Sequence, residues 1–218
     1  MTDNTHAIIF DLDGVLLDSE TDMSWMKQAL IDTLNEFNIK PTEKNLEILD
    51  RKNLEKFPSV ATYFNLNVKE LWHVRNYHYT TRKVEAVKTK QIHPFSDIKA
   101  IHSLQRDAEL AILSNSPQEV VDEFLKVFNL QQLFKAGVGR SSDYEDIFKL
   151  KPHPLLWKKL KPAITASTIL YVGDRVSDQI FAKKMNMIFF GLNRYHTAFP
   201  DGFSTLYEIS AEIKKKIK

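Results

Sequence analysis

Short apolar runs alternate with amphipathic stretches along most of this 218-residue chain. The first run, residues 7–10 (AIIF), is followed at once by two aspartates, Asp11 and Asp13, and then by Gly14. Apolar runs of about four to eight residues that are bounded by turn signals predict strands buried on both faces. The pattern therefore predicts a buried strand that ends in two carboxylates, which are costly to desolvate unless a cation or hydrogen bonds meet them.

Four further apolar runs in the second half of the chain also predict strands. They cover residues 109–115, 136–141, 168–174 and 188–192, and amphipathic stretches that predict helices lie between them, with another helix opening at Pro94. Strands and helices that alternate with short connections are typical of a parallel sheet. The predicted fold class is α/β, with a Rossmann-like parallel sheet covered by helices on both faces.

The stretch between residues 19 and 91 shows helical periodicity and no strand pattern. A helix is predicted over residues 20–37 because apolar side chains recur there at spacings of three and four: Met23, Met26, Leu30, Leu34 and Phe37. Asn67 with Glu70 forms a helix start close to a capping box, and the helix behind it continues to about Lys88. This stretch is predicted to be an all-helical insert in the α/β fold.

Composition narrows the class of protein without naming a function. The formal net charge of +2 is too small to indicate binding to nucleic acid or to an anionic membrane. The chain has no cysteine, which excludes disulfides, thiol nucleophiles and thiolate metal sites. No apolar run approaches the roughly 18 residues of a membrane span, and the polar N-terminus does not look like a signal peptide. We expect a cytoplasmic protein with neither nucleic acid nor membrane as a partner.

Polar side chains stand at the ends of three predicted strands. Asp11 ends the first, Ser114 and Asn115 end the second, and Asp174 ends the fourth. Each of these residues alone is weak evidence for a functional site, since an aspartate at a strand end is often only a cap for the next helix. In parallel sheets, however, active and ligand-binding sites usually lie beyond the carboxyl ends of the strands. Together these side chains predict a site, and Lys151, before a predicted helix, is a candidate to join it.

The order of these motifs resembles that of the haloacid dehalogenase-like hydrolases, in the phosphatase branch with an inserted helical cap. The first motif, an Asp-x-Asp-Gly start that closes on Asp-Ser, is met by residues 11–19. The second is met by residues 113–115, the third by Lys151 in Lys-Pro-His-Pro, and the fourth, Gly-Asp-x-x-x-Asp, by residues 173–178. The resemblance covers nearly the whole chain.

The resemblance implies roles for the core residues in phosphoryl transfer. Asp11 would be the nucleophile that forms an aspartyl-phosphate, and Asp13 the general acid and base. Ser114 and the backbone N–H of Asn115 would hold phosphate oxygens. Lys151 would offset the negative charge that is crowded between the phosphate and the carboxylates.

A divalent cation is part of what the resemblance implies. Mg²⁺ prefers oxygen ligands and commonly works together with phosphate groups. The implied ligands are the Asp11 carboxylate, the Asp13 backbone carbonyl and Asp174, with Asp178 either a further ligand or an orienting partner.

The insert would be a cap that supplies substrate specificity. On this interpretation residues 1–18 and 92–218 form the core domain and residues 19–91 the cap. Cap candidates for substrate binding are basic side chains, each of which could instead be exposed or lie at the edge of the cap core: Arg51, Lys52, His73, Arg75, His78 and Arg82. Of these, Arg51, Lys52, His78 and Arg82 are the predicted specificity residues. The long acidic loop over residues 140–150 could line the site or be solvated, and the second is favoured.

The predicted function is a Mg²⁺-dependent phosphatase of a small phosphorylated metabolite, such as a sugar phosphate or phosphoglycolate. Asp13 argues against dehalogenation, because a departing halide needs no proton. A phosphomutase of the β-phosphoglucomutase type is an alternative that would use the same residues. A protein that binds a phosphorylated ligand without catalysis is another, although every charged position of the implied site is present.

Overall fold

A parallel sheet organises the fold in the computed structural model, which describes residues 5–50 and 56–217. Its strands are β1 (His6–Phe10), β4 (Glu109–Pro117), β5 (Ala136–Arg140), β6 (Thr168–Gly173) and β7 (Ile188–Gly191). The strand order is β5–β4–β1–β6–β7, with β1 at the centre, and every pairing within it is parallel. The strand predictions from apolar runs are confirmed.

Helices cover both faces of this sheet because successive side chains of a strand point to opposite sides. Ile8 and Phe10 pack on one face against α5 (Gln118–Val127) and α8 (Leu206–Lys216). Ala7 and Ile9 pack on the other face against α6 (Leu155–Leu160) and α7 (Val176–Lys184). All four side chains are fully buried, and each large one contributes roughly 1.5–3 kcal/mol through its burial. The predicted α/β class is confirmed.

A helical layer with its own apolar core lies over one end of the sheet. Its helices are α1 (Ser24–Glu36), α2 (Glu43–Leu49), α3 (Phe57–Phe64) and α4 (Val68–Lys88). The layer's core joins side chains from all four helices, among them Leu34, Leu49, Phe57 and Trp72. The prediction of an all-helical insert is confirmed for the described residues. Within that same part of the chain, no helix is both long and apolar enough to cross a membrane.

A small antiparallel pair stands where the chain enters and leaves the helical layer. It consists of β2 (Leu17–Asp18) and β3 (His93–Pro94). The prediction that a helix opens at Pro94 is wrong, because Pro94 pairs with Leu17 and the following helix is a 3₁₀ helix, Ile98–Leu104. Two residues are too short a run for sequence periodicity to reveal. The division into domains at residues 18/19 and 91/92 falls beside this pair and stays a prediction.

The loop over residues 140–150 is more buried than its acidic sequence indicates. It contains a 3₁₀ helix, Tyr144–Lys149, whose Ile147 is buried in the core of the helical layer. The Trp72 indole N–H also donates to the Ser142 carbonyl oxygen at 2.8 Å. The loop is thus solvated only in part: Asp143 and Glu145 are exposed, whereas Ile147 holds the helical layer against the end of β5.

Candidate active site

Three aspartates meet at the carboxyl edge of the sheet. Asp11 follows β1, Asp174 follows the neighbouring strand β6, and Asp178 lies in the first turn of α7. One carboxylate oxygen from each lies within 4.8 Å of the others, and all three residues are buried. The predicted grouping of strand ends thus brings three of the implied metal ligands together. For Asp13, the implied ligand is its backbone carbonyl, and this stays a prediction.

The hydrogen bonds of these aspartates separate them into two kinds. Neither carboxylate oxygen of Asp174 has a hydrogen-bond partner among residues 5–50 and 56–217. Both oxygens of Asp178 are occupied: Oδ1 accepts from Lys151 Nζ at 2.8 Å, and Oδ2 accepts from the backbone N–H of Arg175 at 3.2 Å. Because buried polar groups are nearly always paired, Asp174 is the carboxylate that most needs a further partner.

Charge is unbalanced within this cluster. Burial raises the pKa of Asp174 to about 8, and repulsion from Asp11 and Asp178 adds to the shift. Burial likewise raises the pKa of Asp11 to about 6, although Lys151 opposes the change. The buried ammonium group of Lys151 and the partly exposed guanidinium of Arg175, whose Nε lies 3.9 Å from Asp174 Oδ2, thus face three carboxylates. A divalent cation among hard oxygen donors would relieve both the charge and the unpaired Asp174 oxygens, so these residues fit a metal such as Mg²⁺.

Gly14 allows the chain to turn tightly against Asp174. Its φ of +74° is in the left-handed region that glycine adopts without strain. A Cβ atom at this position would also overlap the Asp174 carboxylate. The glycine directly after the two aspartates thus permits the close approach of the β1 loop to the end of β6.

Lys151 is fully enclosed at the centre of the site. Its Nζ lies 2.9 Å from Asp11 Oδ2 and also donates to the hydroxyl of Tyr171 at 2.8 Å. Its backbone N–H donates to the Asn115 side-chain oxygen at 2.8 Å, which ties the third motif to the second. Burial alone would lower the pKa of Lys151, but Asp11 and Asp178 raise it above its usual value. The structure brings Lys151 and Asn115 into the predicted constellation.

Ser114 and its neighbours leave the regular ladder of β4. The register against β5 shifts between Leu113 and Pro117, so the residues between them are free to present polar groups. Ser114 is buried and lines the same cavity as Asp11, and its Oγ accepts from the backbone N–H of Ser116 at 3.2 Å. The side chain is thus held in place by the turn that precedes α5.

Asp13 lies outside the group of three aspartates and has two partners that sequence reasoning did not identify. Lys83 Nζ of α4 lies 2.6 Å from Asp13 Oδ1, and Ser116 Oγ donates to Oδ2 at 2.5 Å. Burial alone would raise the pKa of Asp13, but Lys83, Ser116 and Ser19 together lower it below its usual value. Lys83 itself is buried, so the helical layer supplies an ammonium group directly to this carboxylate.

A cavity of about 300 Å³ opens between the sheet edge and the helical layer. Asp11, Asp13 and Lys151 line it from the sheet side. Trp25, Arg75, Tyr79 and Lys83 line it from the helical layer, and Arg140 lines it from the end of β5. A cavity of this volume suits a small ligand.

The two predicted specificity residues that the structure describes, His78 and Arg82, lie away from the cavity. His78 Nε2 lies 2.6 Å from Glu36, and Arg82 Nε donates to Asp32 at 2.7 Å, so both contact α1. Neither lies among the described residues that line the cavity. His73 is exposed, whereas Arg75 lines the cavity. Arg51 and Lys52 lie outside the described residues. A role of His78 or Arg82 in substrate binding stays a prediction without support from this geometry.

Fold and site together define an α/β enzyme in which buried carboxylates, a buried lysine and a separate aspartate face one cavity. Comparison with known families then identifies the enzyme family. The chain belongs to the haloacid dehalogenase-like hydrolases, whose family model matches residues 8–192. The resemblance identified from the motifs is therefore confirmed, and with it the expectation of a hydrolase.

Similar proteins include phosphatases. A curated phosphoglycolate phosphatase of Vibrio parahaemolyticus is 25% identical over 200 residues, which cover 85% of this chain and 82% of that protein. A predicted phosphoglycolate phosphatase from Haemophilus somnus has a similar structure, with a TM-score of 0.69, 21% identity and coverage of 98% and 99%. CbbY from Rhodobacter sphaeroides, solved in complex with phosphate, matches with a TM-score of 0.66, 15% identity and coverage of 93% and 95%. The two structures support the fold.

Proposed function

We propose that this hydrolase is a metal-dependent phosphatase of small phosphorylated metabolites and that Asp11 is its nucleophile. The observation that carries the proposal is the buried group of Asp11, Asp174 and Asp178 beside Lys151, with Asp13 held separately over the same cavity. In phosphoryl transfer an anionic nucleophile must attack an anionic ester, so positive charge is needed where the two meet. Lys151 supplies such charge next to Asp11, and the neighbouring carboxylates could hold a metal ion that supplies more. The curated phosphoglycolate phosphatase among the relatives supports the same activity.

Asp11, Asp174 and the Asp13 backbone carbonyl would hold the metal ion, for which we propose Mg²⁺. Asp178 would orient the site, because both of its oxygens already accept hydrogen bonds from protein groups. When bound, the ion supplies positive charge that neutralises the carboxylates and the phosphoryl oxygens.

The protein's own groups then divide the reaction into two displacements at phosphorus. In the first, a bond forms between an Asp11 carboxylate oxygen and phosphorus and the ester P–O bond breaks. Asp13, which Lys83 keeps ionised at rest, takes up a proton from solvent before this attack and gives it to the departing oxygen. In the second, water attacks the aspartyl-phosphate while Asp13 takes the proton from that water. Inorganic phosphate leaves and Asp11 is restored, so the net reaction is hydrolysis of the ester.

Ser114, Asn115 and Lys151 would position the phosphoryl group for this attack. Lys151 already contacts Asp11 and is fixed from three sides by Tyr171, Asp178 and the Leu113 carbonyl oxygen. A fixed ammonium group next to the attacked phosphorus stabilises the charge of the transition state without reorganising. Removal of this charge would leave Asp11 and Asp178 facing each other without compensation.

Lys83 is a positioning residue for Asp13, and its replacement should alter both rate and pH dependence. We expect Lys83→Met to lower kcat roughly 10- to 100-fold, a part of the about 10²- to 10⁴-fold that a positioned general acid contributes. Because Lys83 lowers the pKa of Asp13, its loss should move the limb of the pH–rate profile that reports Asp13 to higher pH. Steady-state kinetics across pH measure both effects.

Lys88→Gln serves as a control for the Lys83 variant, because Lys88 is an exposed cation on the same helix. Thermal unfolding followed by circular dichroism verifies that each variant is folded. An unchanged kcat together with an unchanged pH profile in folded Lys83→Met would show that Lys83 does not act on Asp13 during turnover.

Phosphate release from a panel of phosphorylated metabolites tests the proposed function directly. With Mg²⁺ present, we expect inorganic phosphate from at least one small ester, phosphoglycolate and hexose phosphates being the first to assay. A phosphomutase would instead convert a hexose 1-phosphate to its isomer, in the presence of the bisphosphate, without releasing inorganic phosphate. Isomer formation without phosphate would therefore overturn the phosphatase assignment.

A further inference from the structure

Three buried cationic side chains gather around the ring of Tyr79. The guanidinium carbons of Arg75 and Arg140 lie 6.0 and 5.8 Å from the ring centroid, and Lys83 Nζ lies 5.7 Å from it. Arg75 and Lys83 come from α4 and are spaced with Tyr79 at four-residue intervals, so they share one helix face. Arg140 reaches the same ring from the end of β5. All four residues line the cavity.

Only one of these cations is matched by a carboxylate at short range in the described part of the chain. Lys83 pairs with Asp13. Arg75 Nε donates to the Leu49 carbonyl oxygen at 3.3 Å, and Arg140 Nη1 donates to the Ser141 carbonyl oxygen at 3.1 Å. Among described residues, no carboxylate oxygen lies within 4 Å of either guanidinium group, and Asp50 and Glu119 attract them only from farther away.

Burial makes this arrangement unfavourable without another negative charge. Arg75 and Arg140 are only 6% and 5% exposed. Burial lowers the pKa of Arg140 to about 10. Tyr79 opposes this change, whereas repulsion from the positive charge of Arg75 lowers the pKa further. Burying a charge is costly unless it is paired, so an anion that reached both guanidinium groups would remove much of the cost.

We propose that Arg75 and Arg140 form a second anion site in the cavity, so that the substrate carries a small anionic group besides the phosphoryl group transferred to Asp11. The inference rests on the proposed function only in placing the phosphoryl group at Asp11. Guanidinium groups present several donors in a planar fork, which matches a carboxylate or a phosphate. The aromatic rings of Trp72 and Tyr79 hold Arg140 in place, with the Arg140 guanidinium carbon 5.2 Å from the Trp72 ring centroid.

Three two-carbon ligands that differ only at one end test the second anion site. Phosphoglycolate carries a carboxylate, ethylene glycol bisphosphate carries a second phosphate, and 2-hydroxyethyl phosphate carries a neutral hydroxyl. Calorimetric titration of the full-length Asp11→Asn variant with Mg²⁺ measures their binding without turnover. We expect at least one of the two anionic ligands to bind about 10- to 100-fold more tightly than the neutral ester, as for hydrogen bonds between charged groups.

Substitution of the arginines identifies the groups responsible for this preference. In the Asp11→Asn background, Arg140→Gln and Arg75→Gln should bring the ratio of anionic to neutral affinity close to one. Arg140→Lys, which keeps the charge but loses the fork, should retain part of it. Arg106→Gln removes an exposed arginine outside the cavity and should leave the ratio as it is. General damage to the fold would weaken the binding of all three ligands and lower the unfolding temperature. It would not selectively abolish the preference for the anionic ligands over the neutral one.

Two results would overturn the second anion site. One is equal binding of all three ligands to the Asp11→Asn protein, and the other is a preference that survives in both glutamine variants. The proposed function is judged separately, because it fails only if wild-type protein releases phosphate neither from these three esters nor from any other member of the metabolite panel. Binding to Asp11→Asn still decides the anion site in that case.

Discussion

Replacement of Asp11 by asparagine should lower kcat by at least about 10⁴-fold, the largest effect expected for any single substitution in this chain. An amide keeps nearly the shape of the carboxylate but is a poor nucleophile towards phosphorus. The variant should still fold, because Asp11 is one of three crowded carboxylates whose repulsion already disfavours its charge. Phosphate release with Mg²⁺ measures the activity, and circular dichroism verifies the fold.

Asp107→Asn is the matched control for this substitution, since Asp107 is an exposed aspartate away from the cavity. It should retain the wild-type kcat. The same experiment addresses the alternative of a non-catalytic ligand-binding protein, for which wild-type and Asp11→Asn protein would both lack turnover. Wild-type activity in the folded Asp11→Asn variant would show that the nucleophile is another group.

Removal of the divalent cation should have the second-largest effect. We expect a chelator to lower kcat at least about 10³-fold and added Mg²⁺ to restore it, because the ion adds positive charge beside the phosphoryl group to that of Lys151. Binding of the ion should also stabilise the fold. At 100 times its Kd it would contribute ~2.7 kcal/mol, equivalent to a rise in Tm of about 5–10 °C for a chain of this size.

Asp174→Asn separates metal binding from other effects of the chelator. Since burial and neighbouring carboxylates raise the pKa of Asp174, its ionisation opposes folding, and the neutral amide should not lower the Tm of the metal-free protein. The rise in Tm with Mg²⁺ should, however, disappear in this variant. A metal site at Asp174 would be refuted if Mg²⁺ stabilised wild-type and Asp174→Asn protein equally.

The sheet and the central constellation could be predicted because their signals are local. A buried strand in a parallel sheet is a continuous apolar run, and its carboxyl end is the next residue along the chain. Asp11 and Asp174 could therefore be assigned to one edge before their contacts were known. Lys151 needed the resemblance as well, since nothing in its local pattern shows that it reaches Asp11 from a loop before α6.

The cavity's helical side could not be predicted in the same way. On α4, His78 and Arg82 are spaced by four residues, as are Arg75, Tyr79 and Lys83, and both rows carry polar groups. Periodicity groups residues on a helix face but does not say which polar face is turned inward. The structure turns Arg75 and Lys83 to the cavity and Arg82 to Asp32 of α1.

Contacts between distant segments set the remaining features. Arg140 stands 65 positions from Arg75, and no spacing rule links them. The loop behind Arg140 is expected to be solvated because it carries three acidic residues, Asp143, Glu145 and Asp146, yet Ile147 anchors it in the core of the helical layer. A signal was present in the four-residue spacing of Arg75, Tyr79 and Lys83, which places two cations beside one aromatic ring.

The steric course at phosphorus tests the nucleophilic role of Asp11 most directly. A substrate ester whose phosphoryl group is made chiral with oxygen isotopes and sulfur is hydrolysed in isotopically labelled water, and the configuration of the product is determined. Each in-line displacement inverts the phosphorus centre, so transfer to Asp11 followed by attack of water should give net retention. Net inversion would mean that water attacks the substrate directly, and the account of Asp11 as the nucleophile would be wrong.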